Sequence, residues 1–480
     1  MTQTWLHAIP GAVPGTLAGA LAKAATPRDL AAARTQMAFS LGWHIVIASF
    51  GVALPALAVY AEWRGLRRND AEFALLARRW ARAMGVLFAV GAVSGTILSF
   101  EMGLLWPGLM GTYGQVIGLP FTMEGTAFFL EAIFLGSYLY AWDRLPPRVH
   151  VLTGIPVCVA GVASAFFVVS ANAWMNQPRG FDLDNGRVVG VDPWKAMFNN
   201  ATPPQTTHMI VAAFMVTGFA AASVYAVAML RGRRDRYHRL GFTVPFTVAA
   251  VAASVQLVVG DWMARFDAVK QPTKLAAIEG LTETTSGAPL SVGGIYTDGE
   301  LRYAVKIPNA LSLLAFGNPH ARVRGLSEVP PDARPPVTVV HLSFQLMVAI
   351  GVGLVLLAGW YTAILLRHRD LSGRRWFLRG AAIAGIAAPT ALEAGWVTTE
   401  VGRQPWIVYG HMRVADAVNP EPGLTAGLVT VLAVYTVMTV ATVAVLRRLA
   451  RVPLELTDTG AAEPGAPQEA PPETPPEAEP

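Results

Sequence analysis

The sequence predicts an all-α integral membrane protein, a bundle of nine transmembrane helices. Three observations carry this. Hydrophobic residues make up 53% of the 480 residues and charged residues only 14%, with a mean hydropathy of +0.42; a soluble domain carries about 25% charge. Apolar runs of roughly 20 residues, enough to cross a hydrocarbon core, recur nine times. Basic residues cluster in alternate loops between those runs. This pattern excludes a water-soluble enzyme, a disordered scaffold and a nucleic-acid binder. The net charge of +5 comes from short arginine clusters between apolar runs, not from one basic face. The single cysteine, Cys158, excludes an internal disulfide and any multi-cysteine zinc or iron–sulfur site.

Residues 1–26 contain apolar stretches but open with MTQTW, without the basic start of a secretory signal, and are read as an N-terminal extension. Spans are expected at 38–61, 80–105, 121–142, 148–172, 206–230 and 240–263, so that 27–263 holds the first six. Three more, at 338–366, 377–400 and 422–446, lie within 338–451. The first loop carries Arg64, Arg67, Arg68, Arg78, Arg79 and Arg82, and the third Arg144 and Arg148. The fifth carries Arg231, Arg233, Arg234, Arg236 and Arg239; the seventh carries Arg367, Arg369, Arg374, Arg375 and Arg379. Arg447, Arg448 and Arg451 follow the last span, whereas the second loop, Pro107–Pro120, has no basic residue. The alternation predicts an outer N-terminus and a cytoplasmic C-terminus.

Residues 264–337 form the one long loop, and it falls outside. It contains TKLAAIEGL (Thr273–Leu281) and YAVKIPNALSLLAF (Tyr303–Phe316). A loop of that length in a compact bundle is functional or disordered, and these runs favour a folded extracytoplasmic element. Residues 452–480, rich in Pro, Glu and Ala, bury too little apolar surface to offset ordering entropy and are read as a disordered tail.

Ionisable groups inside spans are expensive and mark function by default. His44 lies early in span one, His208 at the start of span five, and Met347 a third of the way into span seven. Glu101 ends span two; Glu124 and Glu131 share span three; Glu393 and Glu400 share span eight. With the orientation above, all fall in the outer half of the membrane, beneath the long loop. A lone span histidine is more often a helix–helix hydrogen-bond partner, and a lone methionine is ordinary packing. Two glutamates at i,i+7, about 10 Å apart along one helix face, are harder to dismiss and suit a proton relay or a buried cation. Imidazole and thioether donors without cysteine point to haem, and without Cys-x-x-Cys-His it would be held non-covalently.

Two blocks sharpen this, GRQPW (Gly402–Trp406) and KLAAIE (Lys274–Glu279). So do RTQMAFSLGWH (Arg34–His44), MEGTAFFLEAIFLGSYLYAWDR (Met123–Arg144), SANAWMNQP (Ser170–Pro178), GDWMARFDAVKQPTKLAAIE (Gly260–Glu279), IPNAL (Ile307–Leu311) and EAGWVTTEVGRQPW (Glu393–Trp406). In this order the chain closely resembles subunit I of the cytochrome bd-type quinol oxidases, over all but its two ends, in the branch with a short quinol loop that resembles cyanide-insensitive members. The resemblance implies a respiratory oxidase of the bacterial cytoplasmic (inner) membrane. It would oxidise ubiquinol or menaquinol at the outer face and reduce O2 to water with cytoplasmic protons, building a gradient without pumping. It implies His208 and Met347 as axial ligands of a low-spin haem b, and His44 and Glu400 as iron ligands of the two high-spin haems. One of those is a haem b; the other, at the oxygen site, is a haem d or a further haem b. Glu124 and Glu131 would stand beside that pair and deliver protons, Lys274 and Glu279 would serve quinol oxidation, Arg403 would be the catalytic arginine of the signature, and Trp396 the catalytic tryptophan near the haems. The implied partners are subunit II, a possible small single-span peptide and membrane lipid, with no nucleic acid.

Several points depart from or sit beside that pattern. Gln345 stands where many relatives have arginine, which predicts a differently tuned low-spin haem. His341 is the rival ligand in span seven, expected instead at a propionate or loop contact. His150, His238 and His368, beside basic loops, are expected to be solvated. Two other classes compete on the residues alone: a di-haem b anchor of a quinone-linked dehydrogenase, and a proton-coupled transporter without haem.

Overall fold

A computed structural model describes residues 26–367 and 370–451; the N-terminal extension before Thr26, His368 and the C-terminal tail lie outside the described residues. Nine long apolar helices lie among the described residues. They are α1 (Pro27–Arg68), α2 (Ala71–Leu105), α3 (Pro107–Tyr140), α4 (Pro147–Asn176), α5 (Thr202–Leu230), α6 (Arg236–Lys270), α7 (Val337–Leu366), α8 (Arg375–Gly402) and α9 (Leu424–Arg451).

Their starts follow from local chemistry. Thr26 Oγ1 accepts from the Asp29 amide, the Asp70 carboxylate from Phe73 and the Asp235 carboxylate from His238, each satisfying an orphan N–H of a first turn. Pro27, Pro107 and Pro147 open their helices, where the missing N–H costs nothing. Each expected span falls on one helix, to within two residues where it overruns.

One expectation is corrected. Pro107–Pro120 is no loop: α3 begins at Pro107, one residue after α2 ends, and Pro120 lies inside it. The uncharged, Gly- and Pro-punctuated segment buries Leu109, Tyr113, Val116, Ile117 and Pro120. That is one face of a helix at 3.6-residue spacing. It packs against Trp174, Val408, Val414 and Ala417.

Helices α1–α4 form one four-helix group and α5–α8 a second, joined where α1 and α4 meet α5; α9 lies against α1 and α2. Small residues let backbones approach. A Cβ on Gly161 of α4 would stand 3.0 Å from the Gly51 carbonyl of α1, and one on Gly218 of α5 2.6 Å from the Pro245 carbonyl of α6. Apolar side chains including Phe100, Phe129, Val258, Leu356, Ile386 and Val437 remain exposed on the flanks, as a lipid-facing wall requires. The main apolar core, from Leu54 and Trp80 to Phe246 and Phe377, fills the end of the bundle bearing the arginine clusters. That end is laced together. Arg78 pairs with Asp143, Arg236 with Asp70 and Glu72, and Arg79 Nη1 donates to the Leu449 and Ala450 carbonyls.

The long loop sits at the opposite end. Its helix Pro272–Glu279 follows α6 after a single residue, so α6 itself runs beyond the expected limit of 263. Short antiparallel ribbons follow, Leu290–Val292 with Val305–Ile307, nested around Ile295–Thr297 with Glu300–Arg302. Asp298 and Gly299, at φ 53° and 81°, make the tight turn between the inner pair. The α4–α5 connection carries a second ribbon, Asp182–Asp184 with Arg187–Val189, turned by Asn185 and Gly186.

Candidate functional site

Most of the expected polar side chains lie toward the loop end, but Glu131, in the last third of α3, lies nearer the arginine end than expected; α1 supplies the first group. His44 Nδ1 faces the Ser94 hydroxyl of α2 at 2.8 Å, which leaves Nε2 free. A Cβ on Gly95 would come within 3.3 Å of the ring, so glycine makes room for it. Two residues back, a Cβ on Gly42 would stand 2.9 Å from Glu393 Oε2 and 3.6 Å from Trp396. Gly42 of α1 therefore faces Glu393 and Trp396 of α8, while His44 faces α2. Glu393 Oε1 is buried without a hydrogen-bond partner. Glu101 is tied to α1 instead: Gln36 Nε2 donates to its Oε1 at 3.0 Å and Ser40 Oγ at 2.9 Å.

Glu131 is wedged at the α1–α4 crossing, within 3.8 Å of a Cβ on Gly51 and 3.4 Å of one on Gly161. Glu124, two turns away on α3, accepts from Ser164 Oγ of α4 at 3.4 Å.

The second four-helix group holds His208 on α5 and Met347 on α7. His208 Nδ1 is buried with no hydrogen-bond partner. A Cβ on Gly395 of α8 would stand 2.7 Å from Met347 Sδ. The rival, His341, has both ring nitrogens turned to main-chain carbonyls, Ile278 at 2.6 Å and Gly293 at 3.0 Å. It is a loop contact. Gln345 also serves the loop: its Nε2 donates to the Ser291 carbonyl at 2.9 Å, and its Oε1 accepts from the Gly293 amide at 3.0 Å.

Glu400 ends the layer. Asn172 Nδ2 donates to its Oε1 and Arg403 Nη2 to its Oε2, both at 2.5 Å. Arg403 is buried, and its Nε and Nη1 have no partner. Lys274, only 2% exposed, points inward: Nζ donates to Asn176 Oδ1 at 3.1 Å and stands 3.9 Å from Asp267. Burial pushes its ammonium below the ordinary lysine range, while Asp267 opposes that shift. Glu279 is 4% exposed and faces another way, accepting from the Ser291 amide at 3.1 Å. Burial raises its carboxyl to about 7. The two do not share a partner. A cleft of about 290 Å³ lies beside the same short helix, lined by Val269, Pro272, Leu275, Phe316, Arg322 and Arg324.

A further cluster, at the arginine end, corrects an expectation. His150 is not solvated but 2% exposed. Its Nδ1 faces Glu62 Oε1 at 2.6 Å, its Nε2 faces the Tyr138 carbonyl at 2.8 Å, and Tyr138 donates to Glu62 Oε2 at 2.7 Å. Tyr138 lies two turns beyond Glu131 on α3. Glu62, 88 residues from His150 in sequence, carries no local signal of this pairing.

Fold and layer together define a multi-pass helical membrane protein whose buried donors suit porphyrin iron. Comparison with known proteins is specific. Residues 32–453 match the family described as cytochrome bd terminal oxidase subunit I. The chain is 36% identical over 417 residues to the putative cytochrome bd menaquinol oxidase subunit I of Bacillus subtilis (strain 168), spanning 85% of this chain and 92% of that one. It is 32% identical over 416 residues to the cytochrome bd ubiquinol oxidase subunit 1 of the same organism, spanning 83% and 87%. The solved bd oxidase of Geobacillus thermodenitrificans superposes with a TM-score of 0.84 at 41% identity, covering 88% of this chain and 98% of that chain. The chain belongs to the cytochrome bd terminal oxidase subunit I family.

The family implies haem, and the residues present fit it. The candidate donors are two imidazoles, a thioether and a carboxylate, without thiolate. His208 Nδ1 is orphaned, glycines make room beside His44 and Met347, and two free guanidinium donors on Arg403 suit an anionic substituent such as a propionate.

Proposed function

We propose that this chain is the haem-bearing subunit of a quinol:oxygen oxidoreductase, paired with a subunit II and, as in the family, open to a small single-span subunit. It works in a bacterial cytoplasmic membrane, taking electrons from ubiquinol or menaquinol and delivering them to O2. The observation that carries this is the His44 ring, held at Nδ1 by Ser94 with Nε2 left free beside Gly95. A histidine fixed through one nitrogen presents the other as a ligand.

His208 and Met347 would hold a low-spin haem b, while His44 and Glu400 would hold two high-spin haems, a haem b and a haem d or further haem b. Bound there, haem supplies one-electron steps and the place where oxygen is reduced. The chain's own residues do the rest. Quinol releases two protons as it is oxidised, and Glu279, its carboxyl near 7, is suited to accept one at neutral pH. Lys274 orients the short helix from beneath through Asn176. Trp396 and Gly42 close the space beside Glu393.

Protons for water come from the arginine end. Glu62, His150 and Tyr138 form the inlet. Glu131 and then Glu124 with Ser164 continue it up α3 in steps of roughly 10 Å, each needing water between. Quinol protons leave on one side and consumed protons arrive from the other, so charge separates without a pump.

A reduced-minus-oxidised spectrum of the purified complex tests the reading. A low-spin haem together with a high-spin pair that binds carbon monoxide is expected. A low-spin signal alone would favour a di-haem anchor, and a colourless protein a transporter; either result refutes the oxidase.

A further inference from the structure

Two residues of the SANAWMNQP block at the end of α4 join the long loop to Glu400. Asn172 and Asn176 lie one turn apart on one helix face. Lys274 Nζ and Gln271 Nε2 both donate to Asn176 Oδ1, each at 3.1 Å. Asn176 Nδ2 donates to Asn172 Oδ1 at 3.1 Å, and Asn172 Nδ2 donates to Glu400 Oε1 at 2.5 Å. Every bond runs the same way, from an ammonium through two amides to a carboxylate, so each amide polarises the next. Asparagine suits this role because its carboxamide accepts at one end and donates at the other. The path is also held mechanically. Gln271 Nε2 donates to the Asn176 carbonyl at 2.7 Å. The lysine stem lies on Gly402, where a Cβ would be 2.9 Å from Lys274 Cγ.

We propose that Asn172 and Asn176 are positioning residues that couple the quinol-oxidising helix Pro272–Glu279 to Glu400, so that occupation of the quinol site reorients the Glu400 carboxylate. The coupling rests on the reading of Glu400 as a ligand of a high-spin haem. A quinol head group that displaces Lys274 relaxes Asn176, then Asn172, and frees Glu400 Oε1, while Arg403 keeps its grip on Oε2.

The test uses the purified two-subunit oxidase and a hydroxyquinoline N-oxide as quinol analogue. Its readouts are haem content and the high-spin electron paramagnetic resonance signal, with and without the analogue. In the parent enzyme the analogue should change the high-spin signal. In Asn176→Leu the haem content should stay complete while that change is lost, and kcat should fall roughly 10- to 100-fold, as for other outer partners of metal ligands. Asn176→Ser, smaller and still able to donate and accept, should restore part of the response and serves if the leucine variant does not assemble. A parent enzyme that ignores the analogue, or Asn176 variants that respond as the parent does, overturns the coupling. Glu400→Gln separates the two ideas. If it keeps all its high-spin haem, the ligand reading itself fails. If it loses that haem while Asn176→Leu still responds, only the coupling fails.

Discussion

Glu279 offers the sharpest single perturbation. It is buried on the short loop helix, receives one main-chain N–H from Ser291, and has its carboxyl raised by burial to about 7. As proton acceptor for quinol it must be ionised, so turnover should rise with pH up to that value. Between about pH 5 and 7 the ionised fraction changes from about one hundredth to about one half, a change of roughly 50-fold in rate. Glu279→Gln should flatten this limb and lower kcat by roughly 10² to 10⁴. Stability carries an independent mark. The folded protein holds this proton more tightly than the unfolded chain. The stabilisation is therefore complete below the ordinary glutamate value and is lost as pH rises through about 7, a change of roughly 3 kcal/mol. Glu279→Gln should remove that loss, so its melting temperature should fall less than the parent's between about pH 5 and 8. Oxygen uptake with a soluble quinol across this range, alongside thermal unfolding in detergent, measures both. A Glu279→Gln enzyme that keeps the acid limb at the parent's kcat refutes the assignment.

Gly395→Ala should push a Cβ into the space of Met347 Sδ, 2.7 Å away, and shift the low-spin haem spectrum, as should Met347→Leu; unchanged spectra in both remove Met347 as a ligand. Glu131→Gln should slow oxygen reduction at least about tenfold while leaving quinol KM unchanged, because only proton delivery is touched; full turnover takes it out of the route. Glu62→Gln turns one of the two oxygens that face His150 Nδ1 and the Tyr138 hydroxyl into an amide NH2. It should cost about 1–3 kcal/mol in thermal unfolding; an unaltered transition would mean these hydrogen bonds add nothing to stability.

The nine helices were legible because a bilayer demands about 20 apolar residues per crossing and tolerates few charges within them. For the same reason the span glutamates and histidines stood out against their surroundings. The first half of α3 was hidden because its glycines and prolines mimic loop punctuation, although Leu109, Tyr113, Val116 and Pro120 keep a helical period. The loop ribbons were signalled by Asn185-Gly186 and Asp298-Gly299, pairs that favour the left-handed conformations these turns adopt. The burial of His150 could not be foreseen from its neighbours, since its partner Glu62 lies on another helix. Gln345 was legible as unusual but not as a loop anchor, because its partners are main-chain atoms. The link from Lys274 to Glu400 was equally silent: it joins three segments far apart in the chain, and its middle members are neutral amides.

The way the long loop is fastened to α7 bears on which of its positions are free to vary. His341, Gln345 and Thr338 on α7 grip it only through the carbonyls of Ile278, Ser291, Gly293 and Tyr296 and the amide of Gly293. Grips of this kind are indifferent to side-chain identity. Substitutions at Ile278, Ser291 and Tyr296 therefore leave these hydrogen bonds to α7 in place, whereas at Gln271 and Lys274 the side chains themselves hold the loop to Asn176.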